Sequence, residues 1–163
     1  MMNFFLGCLG LIAVSAVYSL HASCAQTQSF NLAGRWKVEF KFSSDEEHTL
    51  RFDAQSDGKG AFLLLDTVSS LLPPAEPTEA QWEQAAPDQA TFSGAIEFPI
   101  GNVGRNPGTL VFKGKFDSAN SISGKVSFFR EGQNLKNPAT IPAKTGDFTA
   151  KRAKTSSSTN DVN

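Results

Sequence analysis

The sequence predicts an all-β fold: an antiparallel up-and-down barrel of about eight strands, with a β-sandwich as the alternative. The first observation behind it is one apolar parity that persists along the chain. It runs through Trp36, Val38, Phe40 and Phe42, then Leu50, Phe52 and Ala54, then Phe92, Ile96 and Phe98. It continues at Leu110, Phe112 and Phe116, at Ile122, Val126 and Phe128, and at Phe148 and Ala150. Polar residues such as Lys37, Glu39, Lys41, Thr49, Arg51 and Asp53 occupy the odd positions between them. Successive side chains of a strand point to opposite faces, so this alternation marks half-buried antiparallel strands. The second observation is turn chemistry: Ser56-Asp57-Gly58-Lys59-Gly60, Ala86-Pro87-Asp88 and Asp117-Ser118-Ala119-Asn120 are compact breakers between the runs. An even strand number also lets the last strand pair with the first and remove the sheet edges.

Taken in order, Met1 to Ala25 differs from everything after it. No Lys or Arg precedes Arg35, Phe4 to Leu20 is nearly all apolar, and Ala22-Ser23-Cys24-Ala25 supplies the small residues of a signal-peptidase site. Residues 1–25 are therefore expected to be a signal peptide, giving a secreted or periplasmic protein with no membrane span after cleavage. The alternatives are a lipid anchor through Cys24 and a retained membrane segment. Leu20 lies one residue too far upstream for the lipoprotein pattern, and His21 stands where an aliphatic residue belongs. The barrel domain is expected over 26–152, and roughly 125 residues suffice for one domain with its own core. Strands are expected at 34–42, 47–54, 60–66, 79–84, 90–98, 108–117, 121–129 and 145–152. The fourth rests on Trp82 between Gln81 and Glu83, and a short helix capped by Thr78 is its alternative. Residues 153–163 turn polar and aperiodic, and are expected to form a disordered tail.

With strands joined in order, connections alternate between two ends. The short ones, Ala54 to Gly60, Ala85 to Gln89 and Asp117 to Asn120, gather at one end. The other end receives Ser43 to Glu46, Thr67 to Thr78, Pro99 to Pro107 and Arg130 to Lys144, three of them long. Such a mouth is where β scaffolds place binding surfaces. Ten phenylalanines of inward parity share the interior with Gly60, Gly94, Gly114, Gly124 and Gly146. The glycines either make room for rings in a filled core or leave a lumen, and an eight-stranded barrel admits both. Gly101 to Gly108 lies between two strands and opens no helix, so it reads as a hairpin loop and not a phosphate loop. Leu71 and Leu72, ahead of Pro73-Pro74, need an apolar surface. They are expected to fold over the mouth as a partial lid, near Phe42, Phe98, Leu110 and Phe128. His48, Asp66 and Arg130 share inward parity near the same mouth. They are candidates for holding the polar head of a ligand, and His48 with Asp66 for an acid/base pair. The competing reading leaves all three beyond the strand ends in water.

Asn31-Leu32-Ala33-Gly34-Arg35-Trp36 resembles the opening of lipocalin-type (calycin) and avidin-type barrels, whose first strand carries Gly-x-Trp. Gly146-Asp147-Phe148-Thr149-Ala150-Lys151-Arg152 resembles the closing strand of many small exported bacterial barrel domains. The resemblance implies a barrel, a general tendency to bind small molecules, and a floor in which Arg152 covers Trp36. The cysteines and flanking helix of typical lipocalins are missing, as are the polar ligand contacts of avidins.

Charge bounds the function further. Fifteen Lys+Arg against 16 Asp+Glu, interleaved along the odd faces, imply no nucleic-acid partner. After cleavage one histidine and no cysteine remain, so no metal centre, cofactor or enzymatic activity is expected. The expectation is a monomeric exported barrel that binds a small apolar or amphipathic ligand at its long-loop mouth. Its candidate ligand-binding residues are Phe42, His48, Asp66, Leu71, Leu72, Phe98, Leu110, Phe128 and Arg130. The alternative is a filled-core exported or cell-envelope protein whose loops contact another macromolecule.

Overall fold

A computed structural model describes residues 30–66, 75–100 and 104–154. The expected signal segment, Cys24, Leu71, Leu72 and the residues beyond Lys154 lie outside the described residues. Eight strands follow one another: β1 (Gly34–Phe42), β2 (Glu47–Ala54), β3 (Lys59–Leu64), β4 (Thr78–Ala86), β5 (Gln89–Ile100), β6 (Gly104–Ser118), β7 (Ser121–Arg130) and β8 (Lys144–Arg152). Each pairs antiparallel with the next, and β8 pairs with β1, so the sheet closes into a barrel rather than a sandwich. Even residues stand beside even residues around the wall: Trp36 faces Phe52 on one side and Arg152 on the other. That register carries every apolar run to one interior.

One open choice among the elements is decided as expected, and two expectations change. The segment around Trp82 is a strand, and the helical alternative is set aside; its indole Nε1–H donates to the Gln55 carbonyl at 2.7 Å. β3 stops at Leu64 and does not reach Asp66. The Leu65 amide still donates to the Thr49 carbonyl at 2.8 Å, but the Thr49 amide donates to Asp66 Oδ1 at 2.7 Å. A carboxylate has replaced the last backbone rung. The supposed long loop from Pro99 to Pro107 is mostly strand, with pairing from Ile100 opposite Gly104 inward. Residues 104–107 lie beyond the end of β7, whose pairing begins at Gly108 opposite Arg130. This stretch of β6 is thus an edge, where a proline is tolerated because one side of the strand needs no donor.

The interior is full. All ten inward phenylalanines are buried, and no polar or charged side chain is buried among the described residues. Phe52, Phe92 and Phe112 form a stacked column with centroids 4.8 and 4.7 Å apart. Phe148 meets Phe92 and Phe112 edge-on at 5.5 and 5.1 Å. Phe40 carries the packing upward to Phe42 at 5.5 Å, and Phe98 joins Phe128 at 5.2 Å. The glycines decide between lumen and filled core. A Cβ on Gly94 would stand 2.7 Å from the Phe62 ring, and one on Gly114 2.7 Å from Phe148. Rings already occupy the space that the missing side chains leave.

Candidate functional site

The mouth is closed from inside. Phe42 is 1% exposed, Phe98 5%, and Leu110 and Phe128 are fully buried, each against other rings or aliphatic neighbours. This corrects the expectation that they line an accessible ligand chamber: they are the top layer of the core. Lys144 covers the Phe42 ring at 5.5 Å from its centroid and forms an ion pair with Glu46.

His48 and Asp66 come together. The imidazole Nδ1 lies 2.5 Å from Asp66 Oδ2, and both side chains are largely shielded. The imidazole also packs against Phe98, Phe40 and Phe42 with centroids 4.5, 5.2 and 5.7 Å apart. Inward parity brings His48 to the rim of the core, and the early end of β3 turns Asp66 back to meet it. The reading that left both in water is therefore corrected. Arg130 is different: it is exposed at the end of β7, and its backbone amide donates to Gln133 Oε1 at 2.7 Å. β1 and β8 separate its strand from β2, and among the described residues no hydrogen bond or ion pair joins it to His48 or Asp66. The pair can orient one polar group or pass a proton, but it borders a shallow wall groove of about 540 Å³ and no interior chamber. That groove runs over Glu39, Lys41, Glu47, Thr49, Asp147 and Thr149. Hydrogen bonds to Asp45 and Glu47 hold the Lys41 ammonium above its usual pKa, so the groove is lined by satisfied ion pairs.

The rim shows a feature that alternation cannot reveal. The large apolar residues exposed among the described residues are Leu65 (47%), Ile100 (57%), Leu135 (45%) and Ile141 (80%), and all four lie at the mouth end. Two of them sit in the connection from β7 to β8, which is tied by its own side chains. Thr140 Oγ1 donates to the Asn134 carbonyl at 2.6 Å, and the Lys136 and Ala139 amides donate to the Asn134 and Asn137 side chains at 3.0 Å. Gln133 Nε2 donates to the Ile141 carbonyl at 3.2 Å. Alternation and loop length point only to Leu71-Leu72 as exposed apolar residues. Ile141-Pro142 inside an Asn-rich connection was the available signal.

At the opposite end Trp36 is fully buried, and its Nε1–H donates to the Leu32 carbonyl at 2.7 Å. Arg152 lies over its ring, 4.3 Å from the centroid. Phe116 meets the indole at 6.2 Å, and Phe30 stacks on Phe116 at 5.0 Å. Burial pushes the Arg152 guanidinium below its usual pKa.

No protein-family model matches the chain, and no curated protein matches it. Solved structures similar to it include two barrels. A redesigned β-barrel, b11L5F_LGL, is 12% identical with a TM-score of 0.42, over 76% of this chain and 92% of its own. EF1p2_mFAP2b bound to DFHBI is 16% identical with a TM-score of 0.46, over 75% of this chain and 94% of its own. The barrel assignment rests on the closed hydrogen-bond ladder of this chain itself.

Proposed function

We propose that the protein is an exported, filled β-barrel that works as an interaction module, presenting its mouth-end rim to another macromolecule. One observation carries this reading: the exposed large apolar side chains gather at one end of a barrel whose interior is already full. Apolar groups held out in water mark contact surfaces, and a loop ordered before binding loses less entropy on contact. A photo-crosslinker at position 141 should capture a partner, and one at position 57, at the other end, should not. Ile141→Asp with Ile100→Asp should abolish capture and leave thermal unfolding unchanged. Equal capture from both ends defeats the proposal.

The half-buried His48–Asp66 pair favours a second reading, in which a small amphipathic ligand docks beside it from the wall groove. A fluorescent apolar probe, quenched by competition and lost in His48→Ala, would support that reading. Lipocalin-like descent is in keeping with the Trp36–Arg152 floor, and on this reading the barrel acts as a monomer without catalysis. Export predicts a mature N-terminus at Gln26, with a diacylated Cys24 as the alternative; mass spectrometry separates them.

A further inference from the structure

Arg152 carries a charge that its neighbours leave unneutralised. Its Nε, Nη1 and Nη2 donate to the carbonyls of Ala119, Ala33 and Asn31 at 3.3, 2.7 and 2.5 Å. These acceptors are neutral, and the ring beneath is an indole; among the described residues no carboxylate forms an ion pair with it. A guanidinium has five N–H donors, so two remain after these three bonds. Gly34 makes the arrangement feasible. Its φ is 129°, and a Cβ there would stand 2.5 Å from Arg152 Nη1.

Beside this guanidinium lies a groove of about 680 Å³ lined by Gly34, Arg35, Asp53, Gln55, Arg152 and Lys154, with two alanines. Three cations face one carboxylate there, Asp53, which pairs with Arg35 inside the groove and, among the described residues, leaves Arg152 and Lys154 without a counter-charge. Asp53 Oδ1 takes Arg35 Nε at 2.6 Å, and its Oδ2 lies 3.0 Å from Arg51 Nε. Lys154 has no ion-pair partner among the described residues. The adjoining wall adds more positive charge. Lys37 stands in register between Lys151 on β8 and Arg51 on β2, with Glu39 as its one carboxylate partner among the described residues, at 2.6 Å. Like charges directly opposite on neighbouring strands destabilise a sheet. Here three cations stand in one row, next to a groove that is itself short of negative charge.

We propose that this closed-end groove is a binding site for a phosphate-type oxyanion, held by Arg35, Lys154 and the spare donors of Arg152. Charge-assisted bonds from guanidinium groups suit such an anion, because the planar fork matches two oxygens at once. The site lies at the opposite end from the apolar rim and does not depend on the interaction proposed there. The same phosphate chemistry could be presented as a free ion or on a lipid headgroup.

The test is a titration of the ¹⁵N-labelled protein, first with inorganic phosphate and then with phosphatidylglycerol vesicles. Phosphate should shift the amides of Gly34, Arg35, Gln55 and Ala153 saturably. Arg35→Gln with Lys154→Gln should weaken binding about tenfold or more, as expected for losing hydrogen bonds to a charged group. Both residues are exposed, so an unchanged amide spectrum should confirm that the double variant folds. Lys113→Gln with Lys115→Gln, on β6, should leave binding as it is. Saturation by phosphate alone assigns a free anion; vesicle binding that phosphate competes away assigns a headgroup. Absence of saturable shifts, equal affinity in the Arg35/Lys154 variant, or vesicle binding indifferent to phosphate would overturn the site.

Discussion

Parity in the sequence places individual side chains inside or outside, but it does not say which of them touch. His48 and Asp66 are 18 residues apart, and their bond depends on where β3 stops pairing. The end of a strand is set by the competition between Asp66 and a backbone carbonyl for the Thr49 amide, which alternation does not record. Removing that carboxylate leaves a shielded amide and imidazole without their acceptor. Asp66→Ala is expected to cost about 1–3 kcal/mol, the range for orphaning buried polar groups, read by urea denaturation. Trp36 and Arg152, by contrast, could be placed at one end from parity and strand direction alone. Trp36→Ala should cost about 3–5 kcal/mol, since a fully buried indole is lost together with the surface under Arg152. A loss under 1 kcal/mol in either variant would contradict the packing described for it.

Strands built from clean alternation, β1, β2 and β7, lie within a residue of where the sequence implies them. The hairpin of β5 and β6 does not, because Gly104, Pro107 and Gly108 are breakers by local propensity. Pairing with β5 overrides them, and Pro107 survives on the unpaired side beyond β7. The interior glycines were legible as positions but not as packing. Whether Gly94 makes room for a ring or borders a void depends on how the Phe62 ring, two strands away on β3, leans over β4, which tertiary packing selects. Gly94→Val therefore distinguishes the two. Over a void it would be neutral, whereas against the Phe62 ring and the Glu79 carbonyl it should destabilise by about 1–3 kcal/mol or more. Phe62→Leu added to it should recover only part of that loss, because the carbonyl contact persists. Thermal unfolding of the single and double variants checks both statements.

At the scale of the whole molecule, rings fill the interior from floor to mouth, which supports the surface role proposed above. One end exposes apolar side chains, two of them on a loop tied by its own hydrogen bonds, and the other holds more cations than carboxylates around a groove. A closed barrel with a filled interior can hold two such surfaces apart, since its wall is one continuous hydrogen-bonded ladder. If the interior is as full as the ring contacts indicate, capacity for an apolar guest must be created by mutation. Phe98 is the place to create it. It lies 4.5 Å from His48, 5.2 Å from Phe128 and 6.0 Å from Phe42, so its removal opens space directly under the mouth. Phe98→Ala should lose about 3–5 kcal/mol of stability through the cavity left behind. A cavity lined by the remaining rings stays dry and takes up small apolar molecules. The variant should therefore bind benzene, regain part of its stability in benzene-saturated buffer, and show that gain in its thermal midpoint. The wild type should show none. A wild-type protein that benzene stabilises as much as the variant would mean that a lumen already exists, and would return the ligand to the mouth.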